Sequence, residues 1–311
     1  MYDTVRLRLF VEDGHGINPL EDVPPRLDRL AGVNHLPGSE YVSGFLGDLK
    51  ITVRPYYVRI SQGSLCKWHL GDNYQTLGRR ETQEAIEHLS DTLHLPMGEA
   101  EVTRLDFGTN LPVKYPVSVY FERLGPLRYY KRTESSSGLY YWGNGKILCL
   151  YDKNRERQEA GAAIPELYAG RNVLRYEIRY TKRLPTHFNR PSLTAADLYN
   201  RAFFDEMLHR WRNTYKAIQK INDITPDFNM ITKKSDLNRL GVLALVEKYG
   251  GQQKFIGHIS RAQAEGVLTK QQAYSLRQAV NEACKLRPGM TSTSEAIIDL
   301  DGRVRAAVKL Y

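Results

Sequence analysis

Hydrophobic and polar positions alternate in two different ways along the chain. In Val5-Arg6-Leu7-Arg8-Leu9-Phe10 the period is two, which predicts a half-buried strand. Lys50 to Val53 and Tyr56 to Ile60 continue that pattern around Pro55, and Val102 to Phe107 repeats it. Val117 to Phe121, Leu127 to Lys131 and Val173 to Tyr180 also read as strands. A helix is expected over about Arg80 to Leu93, where Ala85, Ile86, Leu89 and Leu93 recur at helical spacing. Leu139 to Tyr151 carries Asn144-Gly145 between two apolar runs, the strongest short signal for a hairpin.

Past Pro191 the period becomes helical. Ser192 or Thr194 can cap a helix reaching about Ile221, with Leu198, Phe203, Phe204, Met207, Leu208 and Trp211 on its apolar face. Further helices are expected at Lys234 to Tyr249, Lys254 to Glu265 and Thr269 to Leu286. The last two flank Gly266, in the outline of a helix-turn-helix or of an ordinary helical hairpin. The fold class is therefore α+β: a central antiparallel sheet with flanking helices, then an all-α C-terminal region. The expected division is 1–190, carrying the chemistry, and 191–311, a helical region open to a DNA-binding role.

Composition narrows the partner. The formal net charge is +9, which favours a polyanion such as DNA. Three scattered cysteines argue against a disulfide framework and fit a reducing cytoplasm. The charged, alternating N-terminus does not read as a signal peptide, and no apolar run is long enough for a membrane span. No internal repeat, Walker loop, Rossmann fingerprint, zinc-protease motif or His-x-His pair occurs.

The hairpin can be computed from its turn. A two-residue loop at Asn144-Gly145 places Tyr140 opposite Cys149 and Tyr151 opposite Gly138. Ile147, Cys149, Tyr151 and Lys153 then share one face, which is expected to be exposed. A phenol is a poor nucleophile at neutral pH, and a lysine two residues away favours its phenolate. Tyr151 with Lys153 is therefore a candidate catalytic pair, although most of the 20 tyrosines must be structural. Asp106, beside Arg104, and Glu177, between Arg175 and Arg179, are candidate ligands for Mg²⁺ or Mn²⁺. Cross-strand ion pairing is the competing reading of both, and the metal reading weakens if Arg175 and Arg179 point inward. Arg104, Lys131, Arg132, Arg175 and Arg179 are the expected DNA contacts. His69 is expected on a strand.

Arg104-Leu105-Asp106-Phe107, then Leu150-Tyr151-Asp152-Lys153, then Arg175-Tyr176-Glu177-Ile178-Arg179 resembles the phage and plasmid replication initiators of the filamentous-phage type. Gly63 to Lys67 and Gly71 to Tyr74 add to the likeness, which runs over roughly residues 50 to 182. The resemblance implies a metal-dependent DNA nicking-closing endonuclease related to the HUH enzymes. It would initiate rolling-circle replication through a 5′-phosphotyrosine, alongside a host helicase or polymerase. It implies Tyr151 as nucleophile, Lys153 as its neighbour, and Asp106 and Glu177 near the metal. The alternatives are a non-enzymatic single-stranded-DNA-binding protein and a mobilisation relaxase.

Overall fold

The computed structural model describes residues 1–11 and 17–311, the side chains of 288 and 289 excepted. Ten strands form one sheet: β1 Tyr2–Phe10, β2 Arg29–Asn34, β3 Tyr41–Leu46, β4 Leu49–Arg54, β5 Tyr57–Gln62, β6 Glu101–Val113, β7 Lys131–Ser135, β8 Gly138–Trp142, β9 Lys146–Asp152 and β10 Asn172–Tyr180. Their order is β2-β3-β4-β5-β1-β6-β10-β9-β8-β7. The connectivity occurs twice. β1 is followed by a four-strand meander whose last strand, β5, returns beside it, and β6 is followed by another whose last strand, β10, does the same. The two copies meet where β1 pairs antiparallel with β6. No repeat in the residues announces this repetition.

One sheet face is apolar. Val5, Leu7, Val58, Ile60, Leu105, Phe107, Leu148, Leu150, Tyr176 and Ile178 alternate with polar neighbours and are at most 2% exposed. The helix Arg201–Ala217 contributes Phe204, whose ring meets those of Tyr2 and Phe107, and Trp211, whose ring lies 4.8 Å from that of Tyr176. Burying each such side chain stabilises by about 1.5–3 kcal/mol. Along the other face run Arg6, Arg8, Arg59, Arg104, Asp106, Arg175, Glu177 and Arg179.

Compact units are not divided at residue 190. One comprises 1–112, 129–215 and 303–311, and the other 113–128 and 216–302. The apolar stripe of the helix at 201–217 belongs with the sheet, so the chain passes 190 without leaving the first unit. In the second unit, Lys234–Lys248, Gln252–Ala264 and Lys270–Cys284 pack around Val246, Ile259, Ala273 and Val280. Gly266, at φ +76°, follows the second of these helices, and Thr269 caps the third with a reciprocal capping box.

Four expected elements differ. Val117–Arg123 is a helix, because Val117, Tyr120 and Phe121 bury at helical as well as alternating spacing. Residues 127–130 are outside any strand, and the ladder begins only at Lys131. His69 lies on the helix Leu65–Leu70, which Ser64 caps by accepting a bond from the Lys67 amide. The long C-terminal helix is broken: Thr194 caps Ala195–Leu198, and a new helix starts at Arg201.

Candidate active site

The hairpin register is the one computed from its turn. Tyr140 faces Cys149, and Trp142 faces Ile147. On the other side of β9, Tyr151 faces Arg175, Cys149 faces Glu177, and Ile147 faces Arg179. Tyr151, Arg175, Glu177 and Arg179 thus share one face of neighbouring strands. Gly138 is required beside them. A Cβ there would lie 2.6 Å from the Leu150 carbonyl and 2.9 Å from the Tyr151 Cβ. Gly108 on β6 plays the same part on the far side, where a Cβ would stand 2.3 Å from that of Glu177.

This face is not the open surface expected. Tyr151 is 9% exposed and Lys153 is fully buried. The strand ends at Asp152, whose side chain accepts from the Arg155 amide and caps the helix Lys153–Glu159. Lys153 is therefore helical, and its ammonium turns to Glu156 at 2.7 Å. Burial lowers the Lys153 pKa. Burial also holds the Tyr151 phenol well above the usual tyrosine range, with Glu177 adding to the effect and Arg175 and Arg179 opposing it. The cations that act on the phenol are these arginines.

The acids come together, each already engaged. Arg104 donates to both oxygens of Asp106, at 2.9 and 2.7 Å. Glu177 accepts from Arg175 at 2.9 Å on one oxygen and from Arg179 at 2.6 Å on the other. Arg179 also lies 3.9 Å from Asp106. Arg175 reaches Asp3 at 2.7 Å and Asn110 at 3.4 Å and is sealed from solvent. Contact with DNA is thus closed to Arg175, which instead ties β1, β6 and β10 together. Burial raises Asp106 to about 6 against the pull of Arg104. Burial would raise Glu177 too, but Arg175 and Arg179 outweigh it and hold this carboxyl below its ordinary value.

A divalent cation does not fit this set as it stands. Each carboxylate oxygen is taken by an arginine, and among the described residues no cluster of three histidine, cysteine or acidic side chains could hold a metal ion. Occupation of Asp106 or Glu177 by Mg²⁺ or Mn²⁺ requires an arginine to let go first.

A cleft of about 130 Å³ opens beside Tyr151, lined also by Tyr140, Asp152, Arg155 and Arg179. Arg179 and Arg104 keep 31% and 22% of their side chains exposed, so both can meet a ligand. Lys131 is exposed on β7, and Arg132 pairs with Glu134 at 2.7 Å. Asp3 and Asn110 had no local signal, since each joins the site through Arg175 from far away in sequence, whereas Arg155, four residues after Tyr151, reaches the cleft on the helix that Asp152 caps. His69, expected on a strand, and His88, which carried no signal, bring their Nδ1 atoms to 3.5 Å on neighbouring helices, with Trp68 stacked on His88.

The sheet thus presents one apolar face to the core and one face lined by arginines. The chain matches the Phage CRI family, described as the N-terminal part of a replication-associated protein, over residues 48–208, just over half its length. It belongs to that family of phage replication-associated proteins, a membership consistent with a replication initiator of the filamentous-phage type. The matched span contains Asp106, Tyr151 and Glu177 but not β1 to β3. No curated protein matches the chain. Among the described residues, no helix is long and apolar enough to cross a membrane.

Proposed function

We propose that this protein initiates rolling-circle replication by nicking one DNA strand with Tyr151 and later rejoining it. The observation that carries this reading is the placement of Tyr151 at a cleft mouth, on the same sheet face as Arg179 and Glu177. Arg179 and Arg104 would hold the scissile phosphate, and Lys131 and Arg132 the strand beyond it. The phenolic oxygen forms a bond to phosphorus, the bond to the 3′ oxygen breaks, and the phenol proton passes through solvent in the cleft to that 3′ oxygen. The products are a 5′-phosphotyrosine and a free 3′-OH that can prime a polymerase. The ester is exchanged rather than hydrolysed, so the strand can be resealed.

In this reading Lys153 acts indirectly. It anchors the first turn of the helix that follows Tyr151 and fixes where the tyrosine stands. Asp106 and Glu177 likewise position Arg104 and Arg179, which stabilise charge on the phosphate. The test is incubation with single-stranded origin DNA and Mn²⁺, followed by denaturing electrophoresis. A denaturation-resistant protein–DNA adduct is expected. DNA binding with no adduct and no nick would leave a single-stranded-DNA-binding protein instead.

A further inference from the structure

Among the described residues, the first copy of the repeated topology carries no tyrosine–acid constellation. Its polar face carries arginines, and they are arranged against their own stability. Arg6 on β1 stands directly opposite Arg104 on β6, and Arg8 on β1 stands directly opposite Arg59 on β5. Like charges in directly opposed positions destabilise a sheet. Only part of this is offset internally. Arg104 is paired with Asp106, and Arg8 with Glu101 at 2.6 Å. Among the described residues, Arg6 and Arg59 form no ion pair, and the Arg6 Nε is buried without an acceptor. Lys50 and Arg54 on β4 extend the patch, again without a carboxylate partner among the described residues.

Aromatic rings are set among these cations. Arg8 lies 4.9 Å over the ring of Phe10, and Arg54 lies 5.5 Å over that of Tyr41. Phe10 is 57% exposed and meets Tyr57 edge-on at 6.1 Å. A strand face that alternates guanidinium groups and rings matches a polynucleotide with free bases: phosphates for the arginines, base faces for the rings. Duplex DNA keeps its bases stacked internally and offers nothing to the rings.

We propose that the polar face of β1, β4 and β5 is a second nucleic-acid surface, which holds the single strand leading away from the Tyr151 cleft. The path is continuous. Arg179 approaches Asp106, Asp106 holds Arg104, Arg104 faces Arg6, and β5 with Arg59 lies next to β1. From β9 to β4 there are five strand spacings, about 24 Å. β1 lies outside the family match, so part of the surface is a property of this chain beyond the shared segment. The proposal takes its direction from the nicking site above, but its affinity component stands apart from cleavage.

The experiment compares wild type with Arg54→Glu/Arg59→Glu, using fluorescence anisotropy on labelled single strands of about 6 and about 20 nucleotides over a salt series. Arg54→Gln/Arg59→Gln and thermal melting serve as folding controls. The glutamate variant should lose at least about tenfold in affinity for the long strand. Its log–log salt slope should flatten by about 1.4, for two phosphate contacts. Binding and nicking of the short strand should not change, and the glutamine variant should show a smaller loss in the same direction. Unchanged long-strand affinity would overturn the proposal, as would a loss confined to duplex DNA. If wild type nicks nothing yet the long-strand loss appears, the surface stands and the nicking reading fails. If nicking is intact and the loss is absent, the surface fails alone.

Discussion

Trp211 and Tyr176 exchange hydrogen bonds: the indole N–H donates to the Tyr176 carbonyl at 3.2 Å, and the Tyr176 hydroxyl donates to the Trp211 carbonyl at 3.0 Å. Helix and central strand are thus locked by polar as well as apolar contacts. Trp211→Ala should destabilise the protein by about 3–5 kcal/mol in urea unfolding. A fragment ending at residue 190 should be insoluble, because it strips the cover from Tyr2, Phe107 and Tyr176. A soluble, cooperatively folding 1–190 would contradict this.

Tyr151→Phe removes one hydroxyl from the lining of the cleft and keeps the ring. It should abolish the covalent adduct and leave both folding and DNA affinity within about twofold. Peptide mapping of the wild-type adduct should find Tyr151. An adduct on Tyr140, across the same cleft, would move the chemistry to β8.

Glu177→Gln keeps shape but leaves Arg175 and Arg179 without their shared charge. Breaking a buried pair by removing one partner costs about 3–5 kcal/mol, so this change should lower stability more than any exposed substitution. Cleavage should fall further than binding, because Arg179 loses its anchor. Equal stability of the variant and wild type would show that the arginines find other partners.

Asp106 gives a pH signature. Its folded pKa is raised to about 6, above the ordinary aspartate value, so its contribution to stability is fully present below about pH 4 and lost as the pH rises through about 6. Glu177, held low, contributes in the opposite sense: its share is present at neutral pH and lost in acid. Asp106→Asn should therefore gain stability relative to wild type between about pH 4 and pH 6, by up to about 3 kcal/mol. Denaturant midpoints across that window check the sign. A parallel fall of both proteins would refute it.

Lys131→Ala/Arg132→Ala should weaken binding to all single strands alike. The log–log salt slope should become less negative by about 1.4 if both side chains contact phosphate. Salt titration with origin and scrambled strands checks this. A loss confined to origin DNA would mean that these residues read sequence.

The β8–β9 hairpin was legible because two independent local rules agreed there: the Asn144-Gly145 turn fixed the register, and alternation fixed the faces. That placed Tyr151, and alternation alone put Asp106, Glu177 and Arg179 on the polar faces of their strands. The state of those residues could not. Lys153 reads as the next residue of a strand, and only Asp152 acting as a helix cap turns it away. Arg175 reads as a surface cation, because its partners Asp3 and Asn110 are 172 and 65 residues distant. β2 and β3 were missed since Gly32 and Gly44 interrupt their alternation, and the repeated connectivity is invisible because its two copies carry opposite chemistry.

β9 is hydrogen-bonded on both sides, by β8 and β10. A DNA end attached to Tyr151 would hang from an interior strand rather than from a loop. Tension from a moving replication fork would then load two backbone ladders in parallel, and the protein could be towed by its cargo without the anchoring segment peeling away.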